Sequence, residues 1–248
     1  MMSIPFPSPK SNFAIAELLS YNKIKEKEII VKKTRQLILI LIILFAAKLV
    51  ESDVPLASSP EAWKGLTAEQ IQRIKSGEIV ILDKDQSQGE DAKRFIQAAM
   101  VFNQPIEVAW NLFRHTERQE QYLPRLISSP LVEDHQSWNL NDFFVKFAFV
   151  DIRYRVRHNF EPDKYYFYWA LDPNYKNDLK HLEGYWRLYK IDDSHTLARY
   201  GTIVIISELI PKSLMEQMTR SDLPESMQAV KKYIDSNGAY TKPGYTKK

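Results

Sequence analysis

The most regular pattern in the chain is an alternation over residues 152–160. Ile152, Tyr154, Val156, His158 and Phe160 fall on one side, and Arg153, Arg155, Arg157 and Asn159 on the other. Successive side chains of a strand point to opposite faces, so this reads as a strand with one buried face and one wet face. The apolar face is expected to look toward a core or cavity. The arginine face is expected to meet water and acidic partners on neighbouring strands. Further strand-like runs cover Arg94–Phe102, Ile127–His135, Asp142–Asp151, Tyr165–Leu171, Leu182–Ile191 and Thr196–Ser207. Turn residues at Glu161-Pro162-Asp163, Asp172-Pro173-Asn174 and Asp192-Asp193-Ser194 punctuate the series.

Helical signals flank this run of strands. Thr67 followed by Gln70 is a capping box and predicts a helix over Ala68–Ser76, stopped at Gly77. Pro105 opens a helical stretch carrying Val108, Trp110, Leu112 and Phe113, which ends at Leu123 because Pro124 follows. Asp222-Leu223-Pro224-Glu225 supplies an N-cap and first turn for a last helix from Pro224 to Ser236, closed by Asn237-Gly238. Met227, Val230, Tyr233 and Ile234 make its apolar face. Residues 53–93 read as a linker holding a short helix and a short strand, and 238–248 as a flexible tail.

Charge changes the picture at the N-terminus. Residues 1–52 hold eight Lys/Arg against four Asp/Glu, whereas the remainder has 26 basic and 27 acidic side chains. The folded part is close to neutral, so no nucleic-acid partner is implied. Residues 37–47, LILILIILFAA, form an apolar run behind Lys32, Lys33 and Arg35. Its length and basic flank fit the apolar region of a signal peptide, and an uncleaved membrane anchor is the alternative. Either places the domain across the membrane, exported or tethered. Without cysteine, disulfides, zinc thiolates and cysteine nucleophiles are excluded. With seven glycines and no phosphate-loop motif, a phosphate cradle is not expected. No two histidines have metal-ligand spacing, and neither a metal nor a cofactor is expected.

The order of elements is a strand, a helical segment, a series of antiparallel strands and a long last helix. It resembles the START-like, or Bet v 1-like, superfamily of polyketide cyclases, plant Bet v 1-type proteins and coenzyme Q-binding proteins. The resemblance covers about residues 94–237. It is carried by Phe102-Asn103-Gln104-Pro105-Ile106-Glu107-Val108-Ala109-Trp110, by the turn Tyr122-Leu123-Pro124-Arg125, by Gly184-Tyr185-Trp186-Arg187-Leu188 with Thr196 and Tyr200, and by Pro211. It implies an α+β helix-grip fold, a curved antiparallel sheet wrapped round a long C-terminal helix, with a cavity between them.

On that fold the expected ligand-facing residues are Tyr154, His158, Tyr168, Trp186, Tyr200, Met218 and Met227. Tyrosines offer an apolar wall with a hydroxyl, and methionines an adaptable mouth. His158, mid-strand on the apolar face, is the first candidate catalytic group, and a cavity tyrosine the alternative general acid/base. As a general acid/base His158 needs a matched partner, for which Glu183 and Asp172 are the candidates by strand position. Three functions follow. The first is non-enzymatic binding or transport of a hydrophobic small molecule such as a lipid, quinone or isoprenoid. The second is a cyclase or hydrolase acting in the same cavity. The third is a protein-interaction module whose cavity is filled by its own aromatic rings.

Overall fold

The computed structural model describes residues 25, 31–36, 54–85, 94–147, 150–206 and 221–246. Among the described residues, nine strands form one antiparallel sheet. They are β1 (Val80–Asp85), β2 (Arg94–Phe102), β3 (Leu126–Ser128), β4 (Leu131–Asp134), β5 (Trp138–Phe147), β6 (Val150–Glu161), β7 (Tyr166–Leu171), β8 (Leu179–Lys190) and β9 (Thr196–Ile206). Their order is β1-β2-β9-β8-β7-β6-β5-β3, with β4 also paired to β5. The helices are α1 (Ala68–Lys75), α2 (Ile106–Arg114), α3 (Gln119–Tyr122) and α4 (Leu223–Asp235).

The capping box forms as the sequence requires, with Gln70 N donating to Thr67 Oγ1 at 3.2 Å and Thr67 N to Gln70 Oε1 at 2.9 Å. Two expected elements are subdivided. The run at 127–135 breaks into β3 and β4 around Pro130, which has no N–H to give a ladder. The helical stretch at 105–123 breaks at His115 into α2, a short 3₁₀ turn over Thr116–Arg118, and α3. The strand expected to start at Asp142 begins earlier, at Trp138.

The sheet's inner face receives α2 and α4. Met227, Val230, Tyr233 and Ile234 of α4, and Ile106, Trp110 and Phe113 of α2, pack on Met100, Phe102, Phe160, Phe167, Trp186 and Leu188. Phe113 stands in the middle, its ring centroid 4.9 Å from Trp186, 5.4 Å from Phe167 and 5.9 Å from Phe102. The outer face of β2, β8 and β9 is covered by residues 56–75, where Ala57, Ala62 and Ile74 meet Ala99, Val101, Tyr189 and Leu197. Arg199 secures that cover by donating to Ala62 O at 2.8 Å and Lys64 O at 3.1 Å. The stretch read as a linker with a short helix and a short strand carries α1 and β1; β1 extends the edge of the sheet, and residues 56–75 add a second small core to its back.

The arginine row of β6 faces outward and is not left to water alone. Arg153 lies over Phe144, Arg155 over Tyr175 and Arg157 over Trp138, at 3.9, 4.5 and 4.0 Å from the ring centres. Arg155 also grips its cross-strand partner Asp142 with two hydrogen bonds, at 2.6 and 3.1 Å. After α4, Gly238 turns the chain in the left-handed region at φ 79°. Lys242 then donates through its backbone to Gln121 O at 2.8 Å, and through Nζ to Leu123 O and Leu126 O. The expected flexible tail is therefore fastened to the turn after α3.

Residues Asp53–Lys248 make one compact unit and Met1–Ser52 another. In the latter, residues 31–36 are helical and exposed. Among the described residues no helix is long and apolar enough to cross a membrane, and the apolar run at 37–47 lies outside them.

Candidate functional site

Strand pairing places one row of residues straight across the inner face. Asn139 on β5 pairs with His158 on β6, His158 with Trp169 on β7, Trp169 with Gly184 on β8, and Gly184 with Thr202 on β9. The next row holds Phe160, Phe167, Trp186 and Tyr200. Between these rows, α4 and the turn after α3 lies a cavity of about 330 Å³, at the lower end of the size range of small-molecule pockets. Trp169, Phe143, Leu182 and Leu126 of the sheet, Leu123 of the turn, and Met227 and Val230 of α4 supply its apolar wall.

Gly184 is required for that shape. A Cβ there would sit 2.3 Å from Trp169 Cζ2 and 2.7 Å from Gly201 O, so only glycine lets the indole lie across β8 toward Tyr200. The Trp169 and Tyr200 ring centres are 5.8 Å apart. Gly184→Val is expected to cost about 1–3 kcal/mol by overpacking and to displace the indole. A lowered midpoint in urea and a changed tryptophan emission spectrum would show it.

Of the residues expected at the site, Tyr154, His158, Trp186, Tyr200 and Met227 line the cavity. Tyr168 does not. It pairs with Asn159 on the arginine side of β6 and with Tyr185 on β8, and so lies on the outer face, 39% exposed and stacked on Tyr166. Met218 lies outside the described residues. The structure adds Phe143, Phe167 and Trp169 to the wall, and Arg125 with Asp222 to its polar rim. Asp222, expected as an N-cap, makes no capping bond. Its carboxylate accepts from Arg125 at 3.3 Å instead.

Tyr154 stacks on Phe143 with centroids 5.3 Å apart. Burial, then its neighbour Tyr200, pushes its phenol pKa up. Burial likewise pushes Tyr200 up to about 12. Both hydroxyls are therefore neutral across the ordinary pH range.

His158 is 3% exposed and ringed by Phe143, Phe160 and Trp169. Burial lowers its pKa from 6.5 to about 3, so the ring is neutral. Its polar neighbour is neither expected carboxylate. Glu183 approaches His181 at 3.5 Å, and Asp172 accepts from Asn174 N at 3.0 Å within its turn. Instead Nδ1 lies 3.1 Å from Asn139 Oδ1. From there a buried polar chain runs behind the wall: Asn139 Nδ2 to Thr116 Oγ1 at 2.9 Å, Thr116 Oγ1 to Asn141 Oδ1 at 2.7 Å, and Asn141 Nδ2 to Ser129 O at 2.9 Å. Ser129 is in turn tied to Glu117 O and to the Glu120 carboxylate. Sequence reasoning missed this chain. Its only trace is the pair Asn139 and Asn141, two amides on the face of β5 that otherwise carries Phe143, Val145 and Phe147. Among the described residues no cluster of His, Asp or Glu is placed to hold a metal ion.

No protein-family model matches the sequence, and no curated protein matches it. Solved structures do. A STAR-related lipid transfer protein from Xanthomonas axonopodis matches with a TM-score of 0.54 at 12% identity, over 63% of this chain and 93% of its own. An aromatase/cyclase from Streptomyces sp. R1128 matches at 0.51 and 12%, over 58% of this chain and 94% of its own. A protein from Thermus thermophilus matches at 0.51 and 12%, over 58% of this chain and 99% of its own. Together with the open antiparallel sheet gripping a terminal helix, these likenesses give the chain the START-like, or Bet v 1-like, fold.

Proposed function

We propose that this protein binds or carries a hydrophobic small molecule in the cavity between sheet and α4, without transforming it. The observation that carries this reading is the cavity itself, about 330 Å³ and walled mainly by aromatic and aliphatic side chains. Burying apolar ligand surface there contributes roughly 25 cal/mol per Å². The hollow also counts against an interaction module filled by its own rings.

The similar structures include both a lipid transfer protein and an aromatase/cyclase, so the fold is compatible with carriage and with chemistry. Two observations favour carriage. A histidine with a pKa near 3 is far below the range of an effective general base at neutral pH. It is also held by an amide rather than by a carboxylate that would stabilise its protonated form. Export or membrane tethering through the apolar run at 37–47 belongs to the same proposal, supported by that run's length and basic flank.

Native mass spectrometry of the gently purified chain, followed by solvent extraction, is expected to release one bound apolar species. An empty cavity that takes up nothing from a broad panel of lipids, sterols and aromatics would remove the proposal.

A further inference from the structure

The polar chain behind the cavity wall settles where every proton lies. Ser129 O is a carbonyl and accepts only, so the Asn141 atom beside it is the amide nitrogen. Asn141 Oδ1 therefore faces Thr116 and takes that hydroxyl's single proton. With its proton committed, Thr116 accepts from Asn139 Nδ2, which turns Asn139 Oδ1 toward His158. An amide oxygen accepts only, so the imidazole proton sits on Nδ1. The Nε2 of a neutral ring so protonated presents a lone pair. Asn139, Asn141, Thr116 and Ser129 are all buried, so water does not loosen the arrangement.

His158 borders the cavity, and no hydrogen bond to Nε2 is found among the described residues. The depressed pKa keeps that lone pair free across the ordinary pH range. Thr202, on the same cross-strand row, has committed its proton to Glu183 O at 2.8 Å, and its oxygen is hydrogen-bonded to the Tyr200 hydroxyl. An acceptor at the edge of an apolar cavity gains from a ligand donor placed against it. Resting on the binding function proposed above, we infer that the cavity selects an uncharged hydrophobic molecule bearing a hydroxyl, an apolar alcohol or phenol, whose O–H donates to His158 Nε2. A quinone, ketone or carboxylate placed at the same point sets lone pair against lone pair. Asn139, Thr116 and Asn141 then act as positioning residues that hold the ring in its accepting form.

The test compares 2-naphthol with 2-methoxynaphthalene, which keeps the ring system but has no proton to donate. In a wall without an acceptor the ether binds better, because the phenol loses its hydration for nothing. The full chain is expected to bind 2-naphthol about tenfold more tightly than the ether, and His158→Phe to abolish that preference. In the unaltered protein, the ¹⁵N resonance of His158 Nε2 is expected to shift with 2-naphthol and to stay fixed with the ether. This readout decides the matter even where the variant fails to fold. If both probes bind equally and Nε2 does not move, the inference is overturned while the binding function stands. A preference that survives in His158→Phe overturns it as well. If neither probe binds, the inference falls, and the lipid extraction reports separately on the binding function.

Discussion

Phe113→Ala is expected to lower the unfolding free energy by about 3–5 kcal/mol, the cost of removing a buried phenyl ring. Phe113 is 5% exposed, touches Phe102, Phe167 and Trp186, and also borders the cavity. One ring thus serves two roles: it ties α2 to the sheet and closes one side of the hollow. The variant should unfold at lower urea with an unchanged denaturant slope. It should also accept larger apolar probes than the parent chain. A loss below about 1 kcal/mol would mean that the neighbouring rings collapse into the space, and the enlarged cavity should then be absent too.

Stability is expected to fall steeply between pH 6.5 and pH 3 because of His158. In the unfolded chain this histidine takes up a proton near its ordinary 6.5, whereas in the folded chain it does so only near 3. Below 6.5 the unfolded state therefore binds more protons, and stability declines as pH drops. The contribution is complete above the unfolded value and is lost as pH falls through the folded one. The slope approaches about 1.4 kcal/mol per pH unit, or about 3 kcal/mol by pH 4. His158→Gln removes the titration and keeps a polar group opposite Asn139. Urea unfolding of both proteins at pH 7 and pH 4 should show the parent losing about 3 kcal/mol more than the variant. Parallel losses would show that the imidazole is not held neutral.

What the sequence made legible depended on contrast within each strand. At 152–160 arginines alternate with apolar residues, and the inward face of β6 follows the reading at every position. The run Tyr165–Leu171 has no such contrast. Tyr165, Tyr166, Phe167, Tyr168, Trp169, Ala170 and Leu171 offer apolar or aromatic surface on both sides, so periodicity could not say which face was inner. Pairing with β6 decides it: Phe167 and Trp169 turn inward, and Tyr168 turns out beside Asn159.

In β5 the pattern even points the wrong way. Trp138 lies on the outer face beneath Arg157, while Asn139 and Asn141 are buried. Their burial is stabilised by Thr116 and Ser129, residues distant in sequence that no local pattern connects. The capping box at Thr67 needs only four residues and was fully readable. Asp222 had the right local setting for a cap, but Arg125, nearly a hundred positions away, claimed its carboxylate.

The strand order has a consequence for how the molecule forms. β2 joins β9 from Arg94↔Val204 to Phe102↔Thr196, a pairing that closes a loop on the order of a hundred residues. The meander from β5 to β9 is local by comparison and has the simpler search. Until β2 arrives, β9 presents an unpaired edge, and the apolar row of β8 and β9 has no cover on its back. The slow event in folding should therefore be the capture of the early strand by the late one. Conditions that delay it would favour intermolecular strand pairing over the finished container.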